Sequence, residues 1–197
     1  DAISLCWKIF GCAGKVEYED KFVSEQFTWA AEEDFRKKYK ALGLKTLFRP
    51  SEVIFKIGVH RPKFTKKPGE FIWKDAGGKP MPDQYFTSGW SAHKAFNHTY
   101  ARLHHYAVRS TESFLVKRDR GRTNHIDRDQ GMAYWADLNL NMAEDTSLLG
   151  NLQPAKDEFK RLLADPVLTQ LHGDACQWHR RKINALKADA IWLQFHN

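Results

Sequence analysis

The stretch from Leu103 to Arg122, LHHYAVRSTESFLVKRDRGR, constrains the fold more than any other part of the chain. An apolar run ends in two histidines and a tyrosine, which predicts a strand that carries imidazoles to its end. Ser110 then suits the N-cap of a helix whose apolar residues recur at helical spacing and which ends before Gly121. Imidazoles at a strand end, followed by a helix rich in Lys and Arg, predict a site for a metal ion or a phosphate ester.

Strand-like patterns dominate the first half of the chain, and helical patterns dominate the second. Strands are predicted at residues 2–10, 21–29, 44–48, 53–59, 71–73 and 100–108, with 44–48 and 53–59 paired as a hairpin. Helices are predicted at 30–43, 110–120, 129–138 and 154–164, with one or two more within 166–195. This order predicts an α/β fold, or α+β if the chain is taken alone, with a sheet-rich part at 1–109 and a helical part at 110–197.

The charge of the chain favours anionic partners. Its 197 residues are enough for about one domain, and a 42% hydrophobic content supports a buried core. The formal net charge is +7, which attracts nucleotides, nucleic acid, acidic sugars or an anionic membrane face. Acidic residues interrupt the cations almost everywhere, so the pattern indicates a local anion site rather than nucleic-acid binding.

Cysteine content and hydropathy bear on the location of the protein. Its three cysteines, Cys6, Cys12 and Cys176, show no zinc-motif spacing, and an odd number argues against a disulfide framework. No apolar run approaches the ~18 residues that a membrane span needs. We therefore expect a cytoplasmic protein. A peripheral position at the inner face of the membrane is compatible with the same features. A core strand directly after Asp1 predicts that the chain is the C-terminal part of a longer protein.

Short motifs along the chain form an ordered set. Before the 103–122 stretch they are Trp7, Lys8, Phe10 and Gly11; Glu25 and Phe27; Lys45, Phe48, Arg49 and Pro50; and Val59, His60, Arg61 and Pro62. Within that stretch they are His105, Tyr106, Arg109, Ser110, Glu112, Phe114, Lys117, Arg120 and Gly121. In this order they resemble the inverting glycosyltransferases of the GT-A type, in the broad family-2 group.

The resemblance implies a fold and a reaction. The chain would be the C-terminal, acceptor-side half of a GT-A-like sheet domain, with a helical C-terminal region. The reaction would move a sugar from a nucleotide-sugar donor to a saccharide acceptor, with a divalent Mn or Mg ion as cofactor. In the family, a D-x-D motif lies shortly upstream of the W-x-x-F-G strand and binds this metal. Nothing precedes Asp1 here, so the N-terminal half would be a missing partner and the fragment alone would be inactive.

The resemblance also implies the roles of individual residues. His105 would be a metal ligand, with a strand-end histidine bonded to backbone as the structural alternative. Lys117, Arg120 and Arg122 would neutralise the leaving diphosphate, with a solvated helix end as the alternative. The general base that deprotonates the acceptor hydroxyl would be Glu25, from its place among aromatic residues and its match to the family, or His60, from its place at the end of an apolar run before a proline. The alternatives are a paired structural Glu25 and a His60 that only contacts the acceptor.

Two further features remain open at the level of sequence. The aromatic residues Trp73, Tyr85, Phe86 and Trp90 could form an acceptor wall or belong to the core. A rival function is a basic module that binds nucleic acid or an anionic polysaccharide without chemistry. The cation-rich segment 117–122 lacks the aromatic residues of a stacking platform, which argues against that function. A metal-dependent hydrolase using His60, His104 and His105 is less favoured, because the chain has no HExxH-like pair.

Overall fold

The computed structural model describes residues 1–65, 69–121 and 130–188. Its strands are β1 (Ala2–Ile9), β2 (Trp29–Ala30), β3 (Leu44–Phe48), β4 (Ile54–Ile57), β5 (Pro62–Phe64), β6 (Trp73–Asp75), β7 (Leu103–His105) and β8 (Ala143–Glu144). Its α-helices are α1 (Val23–Gln26), α2 (Gln84–Thr87), α3 (Thr111–Arg120), α4 (Met132–Leu138), α5 (Leu152–Leu162) and α6 (Pro166–Lys187). The fold is mixed α and β, as predicted.

The chain divides into two compact units. The first comprises Asp1–Ile9 and Ala31–His105, and the second comprises Phe10–Ala30 and the described residues from Tyr106 onward. The first unit holds β1, β3 to β7 and α2. The second holds α1, β2, β8 and α3 to α6. The predicted boundary near residue 109 stays a prediction.

β1 is the central strand of the sheet in the first unit. It runs antiparallel to β3 and parallel to both β6 and β7. Because side chains alternate across a strand, Ala2, Ser4 and Cys6 face the core, whereas Ile3 on the opposite face is 49% exposed. Leu47, which pairs with Ile3 across the ladder, is 67% exposed. The sheet therefore has one buried face and one face with exposed apolar side chains.

Lys8 extends the buried face of β1 and is neutralised by an ion-pair network. Its Nζ donates to Glu33 Oε2 at 2.9 Å, and Arg102 Nη1 donates to the same oxygen at 2.6 Å. His98 Nδ1 lies 3.2 Å from Glu33 Oε1. Burial opposes ionisation of Glu33, but Lys8 and the other cations hold the pKa of its carboxyl below the ordinary value. This network allows a lysine to occupy a core position.

α3 organises the second unit and has the predicted ends. Ser110 is the N-cap, since its Oγ accepts from the Ser113 backbone N–H at 3.3 Å, and Gly121 follows the last turn with a φ of 76°. Phe114 is fully buried, with ring centroids 4.8 Å from Trp135 and 6.1 Å from Tyr134. α6 packs against α3. The capped helix is thus anchored on its apolar face by aromatic contacts.

The strand predicted at 21–29 is wrong. Residues 23–26 form the short helix α1, and only Trp29–Ala30 is a strand, paired with β8. The side-chain amide of Gln26 donates to the carbonyls of Lys21 and Glu19 at 2.8 and 3.3 Å. These local hydrogen bonds fold the segment back on itself, so the apolar alternation does not produce an extended strand.

The helix at 30–43 and the hairpin at 44–48 with 53–59 are also wrong. In the first segment Ala30 belongs to β2 and Tyr39–Ala41 forms a 3₁₀ turn, while Glu33 is held in the ion-pair network around Lys8. β3 pairs with β1, and β4 pairs instead with β5. The strand expected at 71–73 lies at Trp73–Asp75, and that at 100–108 shortens to Leu103–His105.

The helices of the second half follow the prediction more closely. α4 covers Met132–Leu138 and α5 covers Leu152–Leu162, each within a few residues of its predicted bounds. A single helix, α6, extends over Pro166–Lys187, and the rest of its predicted range, 189–195, lies outside the described residues. Among the helices that the structure describes, none combines the length and apolarity needed to cross a bilayer.

Candidate functional site

The first unit contains a cluster of two indoles and two imidazoles, which we call the Trp7 cluster: Trp7, His60, Trp90 and His105. His105 stacks on Trp7 with ring centroids 4.0 Å apart, and His60 lies 5.6 Å from Trp7. Trp90 lies 6.4 Å from Trp7 and 5.6 Å from His60. All four residues are partly exposed. The fold therefore brings two sequence-predicted site residues, His60 and His105, onto one accessible aromatic surface.

A glycine makes room for the Trp7 indole. A Cβ built at Gly43 would lie 2.5 Å from two atoms of the Trp7 ring, closer than real Cβ contacts allow. The backbone N–H of Trp7 also donates to the Gly43 carbonyl at 2.8 Å. The Trp7 ring therefore packs directly against the backbone of Gly43, and any side chain at residue 43 would displace the ring.

Gly43→Ala is expected to destabilise the protein by about 1–3 kcal/mol, because the indole must move out of a packed position. Gly173→Ala is the matched control. Gly173 lies inside α6 with nothing within 4 Å of its added Cβ, so alanine should stabilise by about 0.8–1 kcal/mol. Urea unfolding of both variants measures these changes. Equal effects of the same sign would contradict the close packing at Gly43.

His60 is held in one tautomer. Its Nδ1 lies 2.9 Å from the Leu44 carbonyl oxygen, which can only accept, so Nδ1 carries the proton and Nε2 has the lone pair. Burial, and secondarily the charge of Lys45, lowers the pKa of the imidazole below 6.5 despite the hydrogen bond to Leu44. The ring is therefore neutral at pH 7. Nε2 has no hydrogen-bond partner among the described residues, so it can accept a proton.

Glu25, the other candidate base, lies in α1 and is paired. Its Oε1 accepts from Lys156 Nζ at 2.7 Å, and both side chains are partly exposed. The ion pair holds one carboxylate oxygen of Glu25 in contact with a cation. Of the two predicted bases, Glu25 is thus the paired one, whereas Nε2 of His60 has no hydrogen-bond partner among the described residues.

His105 is the last residue of β7, as predicted for a metal ligand delivered by a strand end. In the part of the chain that the structure describes, the one group of three potential metal ligands lies elsewhere and does not include His105. Mn and Mg prefer several oxygen ligands, and no such group of three around His105 is found among the described residues. Metal binding by His105 stays a prediction.

The cations that were predicted to bind the leaving diphosphate differ in their contacts and exposure. Lys117 Nζ donates to the Ala107 carbonyl at 2.5 Å and to the Tyr134 hydroxyl at 3.0 Å, and lies 4.8 Å from the centroid of the Tyr134 ring. Arg120 ends the helix and is exposed. Arg122 lies outside the described residues. Lys117 is therefore committed to contacts that fix α3, whereas the Arg120 side chain reaches solvent.

Arg109 is one of the motif residues, but sequence reasoning gave it no role of its own. It precedes the N-cap Ser110 with a φ of 60°, in the left-handed region that is rare for a residue with a Cβ. Burial, and secondarily Arg120, lowers the pKa of its guanidinium. No hydrogen bond or ion pair holds the Arg109 side chain within the described residues. Its place in the motif, directly before the helix cap, was the available sequence signal.

A cavity of about 180 Å³ adjoins Arg109 in the second unit. Its lining includes Ser110 and Ser113 from the start of α3, together with residues 18–21, Val23, Gln26 and Phe27. The first amides of α3 do not face a ligand, since Thr111 and Glu112 donate to the carbonyls of Lys15 and Val16 at 3.1 and 3.0 Å. Lys21 also lines the cavity but is paired with Glu19, so Arg109 is the cation of this lining without an ion-pair partner among the described residues.

The proposed acceptor wall is corrected by the structure. Trp73, Tyr85 and Phe86 are at most 5% exposed and belong to the core cluster of the first unit. Only Trp90 is partly exposed, and it is a member of the Trp7 cluster. The aromatic surface that a ligand can reach is formed instead by Trp7 and Trp90, with Tyr39 at 5.4 Å from Trp90 in an edge contact.

No protein-family model, curated protein or solved structure matches the chain. Its function therefore has to be argued from the chemistry of these groups. The Trp7 cluster combines an aromatic surface with an oriented, neutral imidazole at His60. The cavity in the second unit is lined by the partly exposed Arg109.

Proposed function

We propose that this chain is the acceptor-side part of an inverting glycosyltransferase, which moves a sugar from a nucleotide-sugar donor to a saccharide acceptor. The observation that carries the proposal is the oriented His60 imidazole on the aromatic surface of the Trp7 cluster. The resemblance of the sequence motifs to GT-A enzymes of the family-2 group supports the same reaction. A further part of the same protein would supply the donor site.

The aromatic surface suits a saccharide. The apolar C–H faces of a sugar ring pack against indole and phenol rings, while its hydroxyl groups remain at the edge for hydrogen bonding. Trp90 lies between Trp7 and Tyr39, and Tyr39 is 49% exposed. These three rings offer a stacking surface next to His60, where an acceptor hydroxyl would have to lie.

His60 would act as the general base. Nε2 of the neutral imidazole accepts the proton of the acceptor hydroxyl as its oxygen forms the bond to the anomeric carbon. The bond from that carbon to the diphosphate breaks at the same time, and the leaving group departs with the electron pair. The hydrogen bond from Nδ1 to Leu44 stabilises the imidazolium that forms, since Nδ1–H donates to a carbonyl throughout.

Binding of a divalent metal and of the leaving diphosphate belongs to the same proposal. Bound Mn or Mg would offset the charge of the leaving diphosphate, and His105 could give it one ligand. Because the one group of three potential metal ligands among the described residues does not include His105, no step is routed through the metal. Arg120 and Arg109 affect each other electrostatically, and two neighbouring cations of this kind favour an anionic group.

The apolar face of the sheet supports the involvement of a further part of the protein. Ile3 and Leu47 are paired across β1 and β3 and are both substantially exposed. Ile72, whose carbonyl accepts from the backbone N–H of Ala2 at 3.0 Å, is 60% exposed. Neighbouring exposed apolar residues are typical of a surface that packs against another segment.

Trp90→Ala tests the saccharide surface in the full-length protein, assayed for release of nucleoside diphosphate from a panel of nucleotide sugars with saccharide acceptors. The KM for the acceptor is expected to rise about tenfold, or ~1.4 kcal/mol, because a stacking ring is lost. Trp178→Ala is the control, since Trp178 is 55% exposed on α6.

Two results would overturn the proposal. One is saccharide or nucleic-acid binding by the full-length protein without turnover of any nucleotide sugar, which would favour the non-catalytic basic module. The other is equal loss of acceptor affinity in Trp90→Ala and Trp178→Ala, which would remove the role of the Trp7 cluster.

A further inference from the structure

A cysteine, a histidine and an aspartate meet in the second unit. His172 and Cys176 are four residues apart on α6 and therefore share one face of the helix. Asp20 reaches them from a segment that is 152 residues away in sequence. The side-chain ligand atoms of all three lie within 4.8 Å of one another.

The contacts of this group converge on a single ring nitrogen. His172 Nε2 lies 3.1 Å from Asp20 Oδ2 and 3.6 Å from Cys176 Sγ. One imidazole nitrogen carries either one hydrogen or one lone pair, so it cannot make two well-directed hydrogen bonds at once. Three ligand atoms around a common point are what a metal ion requires.

The spacing fits tetrahedral zinc. Zinc bonds of about 2.1 Å to nitrogen or oxygen and about 2.3 Å to sulfur place tetrahedral N and O ligands ~3.4 Å apart, and N and S ligands ~3.6 Å apart. The N–O edge of 3.1 Å and the N–S edge of 3.6 Å are close to these values, and the third edge, from Asp20 to Cys176, is within 4.8 Å. We propose that Asp20, His172 and Cys176 form a zinc site in the second unit.

The surroundings provide the supporting contacts that zinc ligands usually have. The Tyr18 hydroxyl donates to Cys176 Sγ at 3.6 Å, and the Tyr18 backbone N–H donates to Glu112 Oε2 at 2.7 Å. The ring of Phe159 meets that of His172 edge-on at 5.3 Å. These contacts restrain the thiol and the imidazole from outside, as outer-shell partners do in metal sites.

Access and donor chemistry both favour zinc over Mn or Mg. Cys176 is only 7% exposed, whereas 41% of the Asp20 side chain reaches solvent, so an ion can enter from the side of the carboxylate. A thiolate with an imidazole prefers zinc, while Mn and Mg prefer oxygen ligands. Three protein ligands leave the fourth zinc position for water or a ligand. Asp20 also lines the cavity beside Arg109, so the ion would add positive charge there.

Titration of the full chain with Co²⁺ and Zn²⁺, after reduction and removal of metal by a chelator, tests the site. One ion per chain is expected, with a thiolate-to-cobalt charge-transfer band and the intense visible bands of tetrahedral cobalt. Zn²⁺ should displace the cobalt. Cys176→Ser should abolish the charge-transfer band, and Cys12→Ser is the matched control, because Cys12 is another buried free cysteine of the same unit.

Asp20→Asn keeps the test decisive if Cys176→Ser fails to fold. Asp20 is exposed, so circular dichroism should be unchanged, while affinity for Co²⁺ should fall more than about 100-fold, since loss of even an outer-shell partner costs roughly 10–100-fold. Equal affinity in Asp20→Asn and the parent, or a charge-transfer band that survives Cys176→Ser, would overturn the site and leave a hydrogen-bonded network. Because no sugar transfer is measured, this outcome is independent of the proposed function.

Discussion

Replacing His60 with glutamine is expected to slow sugar transfer by the full-length protein about 10²- to 10³-fold, with little change in the KM for the donor. A positioned general base contributes about 10²- to 10⁴-fold to such a step. The glutamine amide can still donate to the Leu44 carbonyl, so the position stays filled and hydrogen-bonded. What is lost is the Nε2 lone pair that accepts the proton.

The pH dependence of the rate separates this role from a structural one. Burial lowers the pKa of His60, so the base is neutral at pH 7 and becomes protonated only at lower pH. The rate should therefore fall as the pH drops through a value below 6.5 in the parent, and this acidic limb should disappear in His60→Gln. His93→Gln, at an exposed ring beside Tyr39, should retain both the rate and the acidic limb. Loss of the limb in both variants would rule out His60 as the base.

Phe114→Ala is expected to destabilise the second unit by about 3–5 kcal/mol. Phe114 has no exposed surface, and its ring contacts those of Trp135 and Tyr134. Alanine would leave a cavity that this helix, fixed at its N-cap, cannot close by moving. Urea unfolding followed by far-UV circular dichroism measures the loss.

Phe159→Ala is the control for that measurement. Phe159 lies on α5, is 37% exposed and contacts Phe22 at 5.5 Å, so its truncation should cost clearly less than that of Phe114. A loss at Phe159 as large as that at Phe114 would contradict the central place of Phe114 in the packing of this unit.

Patterns of neighbouring residues in the sequence predicted β1 and α3 correctly, but not the segments whose conformation involves other contacts. β1 was predicted because nine consecutive residues lack helical spacing, and α3 because a cap and a glycine bound an apolar pattern. The segment at 21–29 carries a strand-like alternation, yet local hydrogen bonds of Gln26 decide its conformation. In the segment 30–43, which was predicted as a helix, Glu33 instead pairs with Lys8 and Arg102, which are distant in sequence.

In the candidate sites, too, some features were predictable from the sequence and others depend on the fold. His60 and His105 were predicted from their positions at the ends of apolar runs, but their common contact with Trp7 depends on the fold. The histidine and cysteine of the proposed zinc site share a helix face at a spacing of four, a signal that the sequence contained. The aspartate is 152 residues away, and no local pattern connects it to them.

The pairing of β1 has a consequence for how the protein acquires its structure. β1 pairs with β3, β6 and β7, whose residues follow it by about 40 to 100 positions. Contacts of such sequence separation form slowly, because the chain between them must be ordered first. During synthesis, β1 leaves the ribosome long before its parallel neighbours exist, and its apolar side chains have no partner strand. We therefore expect refolding to be slow, and aggregation to compete with it most strongly at this first strand.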